Sequence, residues 1–403
     1  MPDNKNPQEN DQPQKPEGEE EKISRVGNLL NCKHPGCSAC ALSLSTHCWK
    51  HIKNKQRYRR KIEAWAMSGK SMERFILTGA NFSRARFNKA NFSKAELAIA
   101  NLSGAQLDEA NLCKAYLVGA NLSGAELGGA DLSGARLREA RLYDAWLFRA
   151  NLSGAMLWMA HLSGANLEIA DLSGVTLKYA DLSGARLGQA NLSEAWLSGA
   201  TLSNARLNWA KLTGVRGLTR KNFSNELTEE EKKDAEHYRV SYMTVKNFFM
   251  QSGRYDDASW AAFRERTLER IAWYNEITEK GFKKLGFLGW LRTILRWFSS
   301  KLMSLLNGYG EKPWKAVASS VAIVIGFSLF YFFSKCIEAN PPNGIHWWDY
   351  LYFSIVTFTT LGYGDIRPLA APWARMVASG EAFIGAFMIA LFVWTLARRY
   401  VAR

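Results

Sequence analysis

The sequence predicts a multidomain membrane protein: a rod of stacked β-coils, then an α-helical connector, then two membrane-spanning helices around a re-entrant loop. Three observations carry this. A large apolar residue recurs at every fifth position from Leu77 to Leu212 without a break. Two apolar runs, 316–333 and 373–397, flank the stretch Thr357-Phe358-Thr359-Thr360-Leu361-Gly362-Tyr363-Gly364-Asp365. Between rod and runs, the apolar spacing becomes helical. The 403 residues suffice for two or three domains. A net charge of +15 could serve nucleic acid. Much of the excess, however, lies just before the first apolar run and at the end of the second. That is the positive-inside pattern, so no nucleic-acid partner is expected.

Residues 1–25 are mostly Pro, Asn, Gln, Glu and Lys without an apolar run, and are expected to be disordered and to carry no signal peptide. The large N-terminal part should therefore stay in the cytoplasm. Segment 26–62 holds two ligand pairs, Cys32-x4-Cys37 and Cys48-x2-His51, ten residues apart. Tetrahedral zinc takes thiolates and imidazole from two such knuckles, and Pro35-Gly36 supplies a tight turn. Cys40, His34 and His47 are spare candidates, and His47 could replace a ligand. A segment this short buries no core of its own, so a structural zinc would supply folding energy. The plain alternative is a set of reduced cysteines in a loose arm. Clustered cysteines in a chain this size fit a reduced compartment better than disulfides. The basic run from Lys50 to Lys61 reads as a solvated helix face.

From Leu77 to Leu212 the fifth-residue series makes 28 pentads, (212 − 77)/5 + 1. Alanine stands two residues before each large residue from Ala80 to Ala210, Val175 excepted. A period of five suits neither a helix nor a strand; it suits a coil with a corner every five residues. The segment, set at 72–216, resembles the pentapeptide-repeat family. That resemblance implies a right-handed quadrilateral β-helix, four pentads per coil, in a seven-coil rod of about 34 Å at ~4.8 Å per coil. Each coil leans on its neighbours, so stability should be nearly one-dimensional. Ala-Asn/Asp-Leu-Ser-Gly recurs every ten residues, which makes two faces uniform and polar. A variable face collects Ile99, Tyr116, Val118, Met156, Trp158, Met159, Tyr179 and Trp196. An exposed stripe of this kind marks a contact surface, for the helical segment, a neighbouring subunit or a cytosolic partner. Some family members imitate DNA with an acidic rod; 13 basic against 11 acidic residues over 77–212 argue against mimicry here. No catalytic constellation appears, and the chain is not expected to be an enzyme.

At 218–280 the spacing predicts a helical hairpin. Thr228-Glu229-Glu230-Glu231 reads as a capping box, Tyr238, Tyr242, Val245 and Phe249 as a buried stripe, and Gly253 as a stop. Asp256-Asp257 opens a second helix with Trp260, Phe263, Ile271 and Tyr274. Segment 281–312 reads as a different, amphipathic helix. Leu285, Leu288, Leu291, Leu295, Phe298 and Leu302 lie on one side, and Lys283, Lys284, Arg292, Arg296 and Lys301 largely on the other; the alternative is a soluble helix packed on the rod. This is the signature of a helix in the inner membrane interface.

The pore segment is 313–403, with spans at about 316–334 and 373–397 and a pore helix with filter at 347–365. Its motif resembles the filter of two-transmembrane potassium channels, which reads Thr-Val-Gly-Tyr-Gly-Asp. The resemblance implies that Thr360, Leu361, Gly362, Tyr363, Gly364 and Asp365 line the path of dehydrated potassium ions with backbone carbonyls. Glycines give the left-handed φ such a strand needs. Leu361 stands where the family usually has valine; only its carbonyl would face the ion. Gly308-Tyr309-Gly310 has similar letters but neither a threonine run nor a pore helix before it, and reads as a loop. Trp348, Tyr352 and Thr357 belong to the helix expected to support the filter, and Asp365 could bond Tyr352. Glu381 is an acid at membrane depth, expected behind the filter and bonded to the pore helix. Gly385, mid-span, either bends the helix or packs closely. One chain supplies one filter strand, so the expectation is a homotetrameric potassium channel of the inner (plasma) membrane, both termini cytoplasmic. There is no arginine-rich voltage-sensing helix and no Gly-rich nucleotide motif, which leaves the rod or the interfacial helix for gating. The second reading is a membrane-anchored scaffold whose rod recruits a partner and whose pore is silent.

Overall fold

In the computed structural model, residues 31–339, 344–362 and 364–401 are described, with backbone alone at 280–285 and 398–401. The expected disorder of 1–25 and the filter position of Tyr363 lie outside the described residues.

The rod is built from single-residue parallel bridges that join each position to one twenty residues on, from Ile76↔Glu96 to Trp196↔Arg216. One coil is therefore four pentads. Leu77 N donates forward to Glu96 O at 2.8 Å, and Glu96 N donates back to Phe75 O at 2.8 Å. The same pair of bonds repeats along the stack. Each coil buries its Leu/Phe and Ala positions in ladders; Leu147, Ala150 and Leu157 have no exposed surface. The corner residue two after each large residue takes left-handed φ in nearly every pentad. Glycine supplies it at Gly104 and Gly124, with φ +62° and +63°. Ile99, Glu139 and Met159 hold φ of 56°, 56° and 54° at equivalent corners, where the ladder bonds on both sides impose it. The first coil packs phenylalanines: the Phe82–Phe87 and Phe87–Phe92 rings meet edge-on at 5.4 and 5.0 Å.

Both ends of the stack are closed. At the N-terminal end, the loops of 31–54 and helix α1 (Lys55–Met67) lay Leu42, Tyr58 and Ile62 on the first coil, beside Met72. At the other end a 3-10 turn, Arg220–Asn222, turns Asn222 inward, and its Nδ2 reaches Leu197 O at 3.0 Å and Ala200 O at 2.7 Å. Helices α2 (Glu229–Lys233) and α3 (Ala235–Gln251) then lie across the last coil. Ser241 and Thr244 of α3 accept the Leu207 and Trp209 amides at 3.0 and 3.2 Å, and Tyr238 OH reaches Asn204 O at 3.0 Å. The helices thus seal the rod's end and leave its variable face open: Ile99, Met156 and Tyr179 each keep half or more of their surface.

After Gly253, at φ +68°, the chain enters α4 (Tyr255–Leu306), an unbroken helical run of 52 residues. It is not one straight rod. The Tyr274 and Trp297 rings lie 6.2 Å apart, whereas straight helix would separate them by about 35 Å. Phe263 likewise meets Tyr309 at 5.8 Å. The run reverses between its arms, and Gly286 carries φ +68°. The second arm presents Leu288, Leu295, Phe298 and Leu305 outward.

The C-terminal part is α5 (Pro313–Ser334), β1 (Ile337–Ala339), α6 (Trp347–Phe358), β2 (Ile366–Pro368) and α7 (Pro372–Val401). Helix α5, with 22 residues, and residues Pro372–Ala397 of α7, with 26, are long and apolar enough to cross a membrane. Between the spans the structure pairs β1 with β2 antiparallel, Glu338 opposite Arg367, with a 2.9 Å ion pair on the same rung. Strands of three residues are too short to show a period.

Candidate ion pathway and metal cluster

The loop after α6 owes its shape to the helix end. Thr359 N returns to Ile355 O at 2.9 Å, Thr360 N to Thr357 O at 3.1 Å and Leu361 N to Val356 O at 3.0 Å. Beyond this point φ is positive at Thr360 (60°), Gly362 (48°) and Gly364 (80°), which are alternate residues. Alternating handedness brings successive carbonyls toward one side of a strand, where glycine bears it best. Thr360, Leu361, Gly362, Gly364 and Asp365 are all exposed on the single chain. Asp365 Oδ1 accepts the Ile366 amide at 3.1 Å.

Behind the loop the helices are tied by one acid. Glu381 of α7 is fully buried; its Oε2 accepts Tyr331 OH of α5 at 2.7 Å, and its Oε1 is bonded to Ser354 of α6. Ser354 Oγ also lies 2.9 Å from Val324 O. Phe353 meets the Tyr331 ring edge-on at 5.0 Å. Tyr352 and Thr357 are half-buried on α6, and Trp348 stacks on His346 at 5.0 Å near the outer end of the helix. Gly385 lies against the last turn of α6, where a Cβ would stand 1.8 Å from Phe358 O. Tyr331, Ser354 and the junction pair Asn307 and Thr395 escaped the sequence reading. A serine inside the aromatic run of α6 was the one available signal.

At the N-terminal end of the rod, Cys32, Cys37, Cys48 and His51 place their ligand atoms within 4.8 Å of one another. Four atoms about a zinc ion, with Zn–S near 2.3 Å and Zn–N near 2.05 Å, would stand about 3.8 Å (S to S) and about 3.6 Å (S to N) apart. The structure has Cys37 Sγ to Cys48 Sγ at 3.8 Å, Cys32 Sγ to His51 Nδ1 at 3.5 Å and Cys48 Sγ to His51 Nδ1 at 3.4 Å. The set fits a tetrahedral ion. Burial works against the Cys32 thiolate, but backbone bonds from Cys48 and His34 hold this thiol below its usual range. Desolvation and the charges of His34 and Lys50 keep His51 low, in the neutral form a ligand needs. His34 stacks on His51 at 3.8 Å. Cys40 and His47 are not among the four: Cys40 pairs its backbone with Asn31, and His47 Nδ1 lies 2.9 Å from Thr46 Oγ1.

Comparison with known families agrees with this geometry. Residues 309–402 match the family described as ion channel, and 76–112, 115–154, 147–178 and 180–216 match pentapeptide repeats in eight copies. Among solved structures, the chain is similar to HetL, a pentapeptide repeat protein from the cyanobacterium Nostoc sp. strain PCC 7120. It shares 28% identity, with 41% of this chain and 93% of that one covered at a TM-score of 0.21. It is similar to a pentapeptide repeat protein of the Arabidopsis thaliana thylakoid lumen at 25% identity, 30% and 77% coverage and a TM-score of 0.24. It is also similar to alr5209 from Nostoc at 36% identity, 24% and 77% coverage and a TM-score of 0.13. No curated protein matches. By class, the chain thus joins repeat coils to an ion-channel domain with two helices long and apolar enough to cross a membrane. In particular, residues 76–216 are a pentapeptide-repeat domain and 309–402 a two-transmembrane channel domain.

Proposed function

We propose that four copies of this chain assemble a potassium-selective channel of the plasma membrane, with rod and both termini in the cytoplasm. The observation that carries this is the exposed loop with left-handed φ at Thr360, Gly362 and Gly364, hung from α6 between two spans. Non-helical backbone at membrane depth persists only against protein or a water-filled path. On one chain this loop has no cover, so the cover comes from copies of itself around an axis. Four strands then offer successive rings of carbonyls, which replace the water of a potassium ion. Glu381, bonded to both α5 and α6, fixes the loop from behind.

The remaining parts follow the same reading. The second arm of α4 lies in the inner interface, its leucines toward lipid and Arg292, Arg296 and Lys301 toward headgroups. The rod is the right-handed, square form, and its open aromatic face meets a neighbouring rod or a cytosolic partner. The Cys32, Cys37, Cys48 and His51 set holds one structural zinc.

Flux tests the central claim. Proteoliposomes carrying the full chain should pass potassium well ahead of sodium, and Gly362→Asp should abolish the flux. A wild type that passes nothing while its rod retains a partner would favour the silent scaffold instead.

A further inference from the structure

A stack of coils ends in an unfinished edge, because the backbone groups that would face the next coil have no partner there. In the interior the rule is plain: Asn101 N gives its hydrogen to Ala80 O, one coil back, at 2.9 Å. Ile76 begins the series of bridges and has no such coil behind it. Ser43, thirty-three positions upstream, stands in that place. Ser43 N donates to Ile76 O at 2.9 Å, and Ile76 N donates to Ser43 Oγ at 2.8 Å. One residue thereby supplies both the donor and the acceptor that a missing coil would have offered.

Ser43 needs to be held. Its own carbonyl accepts Tyr58 OH at 2.8 Å, and its neighbour Leu42 is buried on the first coil. The loop that carries it, 41–47, has little regular structure to fix it. From residue 31 to Asn54 the described chain has no helix and a single bridge, Asn31↔Cys40. Its two roots are Cys40 on that bridge and Cys48, a member of the metal cluster. Lys33 N, next to Cys32, donates to Thr46 O at 3.0 Å and ties the loop to the other side of the cluster. A segment of this size and shape takes its rigidity from a bound ion.

We infer that a divalent, thiolate-binding cation at Cys32, Cys37, Cys48 and His51 is the latch of the rod's N-terminal cap: it sets loop 41–47, and the loop keeps Ser43 on the edge at Ile76. This rests on the zinc reading above and adds what the ion does. Metal occupancy governs the first coil alone. Coils in the middle lean on their own neighbours and do not feel it.

The test uses the full-length protein in detergent. Bound zinc is counted by elemental analysis, and amide hydrogen exchange is followed before and after a zinc chelator, then after zinc is returned. We expect about one zinc per chain. Removal should speed exchange at Ile76 and Leu77 about tenfold or more, leave Leu147 and Leu157 unchanged, and be reversed by zinc. Ser43→Ala should keep its zinc yet exchange faster at Ile76, because the acceptor is gone while the cluster is intact. Zinc present, but with exchange at Ile76 indifferent to its removal, would overturn the latch and leave the metal site standing. Unchanged exchange at Ile76 in Ser43→Ala would overturn the link through that residue. Purified chain without zinc, and unable to take it up, would sink both readings.

Discussion

Gly385 shows how one missing Cβ can set the approach of two helices. An added Cβ would lie 1.8 Å from Phe358 O and 2.7 Å from Phe358 C, so α7 and the last turn of α6 would have to part. The sequence left bending and close packing both open at this glycine, and the structure gives it close packing. Phe358 lies two residues before Thr360, so the displacement would reach the loop. In an ordinary helix Gly→Ala stabilises by up to about 1 kcal/mol; here overpacking of about 1–3 kcal/mol should outweigh it. We therefore predict that Gly385→Ala lowers the thermal midpoint of the purified channel. Gly326→Ala and Gly380→Ala serve as controls, since neither site has an atom within 4 Å of the new carbon. Equal midpoints in all three variants would refute the close contact. The left-handed φ of Thr360 was not readable, because the residue carries no mark of it. The bonds from Thr359, Thr360 and Leu361 back into α6 impose the turn.

Helices α2, α3 and α4 are fastened to one another by a charge pair that no local pattern announces. Glu231 and Arg264 are 2% and 4% exposed, and Arg264 Nη1 stands 3.8 Å from Glu231 Oε2. The same carboxylate accepts the Thr228 amide at 2.9 Å and Tyr242 OH at 2.8 Å. Burial, and then the Glu231 charge, push the Tyr242 hydroxyl far above its usual range, so it serves as a donor. Glu231→Ala would strand the Arg264 guanidinium without its counter-charge, a loss of about 3–5 kcal/mol. We predict that Arg264→Met rescues most of that loss when added to Glu231→Ala. Chemical denaturation of the four proteins forms the cycle, and strictly additive effects would show that the two groups do not interact. The capping box was legible at Thr228 and Glu231, because it is local. The arginine lies in another helix, and spacing cannot select it. The rod was the most legible element, since a period of five repeated 28 times admits one kind of packing. The reversal within α4 was not readable as a fold-back, because it is defined by contacts such as Tyr274 with Trp297. For the metal cluster, spacing put Cys32, Cys37, Cys48 and His51 first among seven candidates, and the folded loop brings the ligand atoms of those four within 4.8 Å of one another.

The connector and the channel domain are joined by a few side chains, and their chemistry bears on how one could act on the other. Asn307, at the end of α4, is fully buried, and its Nδ2 reaches Thr395 Oγ1 of α7 at 3.4 Å. Thr395 is buried as well and donates to Leu391 O at 2.7 Å. The Tyr309 ring leans on Phe263 of the first arm of α4 at 5.8 Å, and Lys312 Nζ stands 4.2 Å from the centre of the Phe263 ring. Connector, loop and the C-terminal part of α7 therefore form one packed group. On the channel reading, a shift of the helices that seal the rod would pass through this group to α7. Thr395→Val keeps the volume and removes the hydroxyl, leaving a buried amide short of a partner at about 1–3 kcal/mol. If the joint carries the coupling, that energy enters the balance between open and closed pores. Single-channel open probability, expressed as an open-to-closed ratio, should then move by roughly 5–150-fold. The potassium-to-sodium permeability ratio should stay at its wild-type value, because no filter contact has changed. Unaltered open probability in Thr395→Val would mean that the joint only holds the domains together.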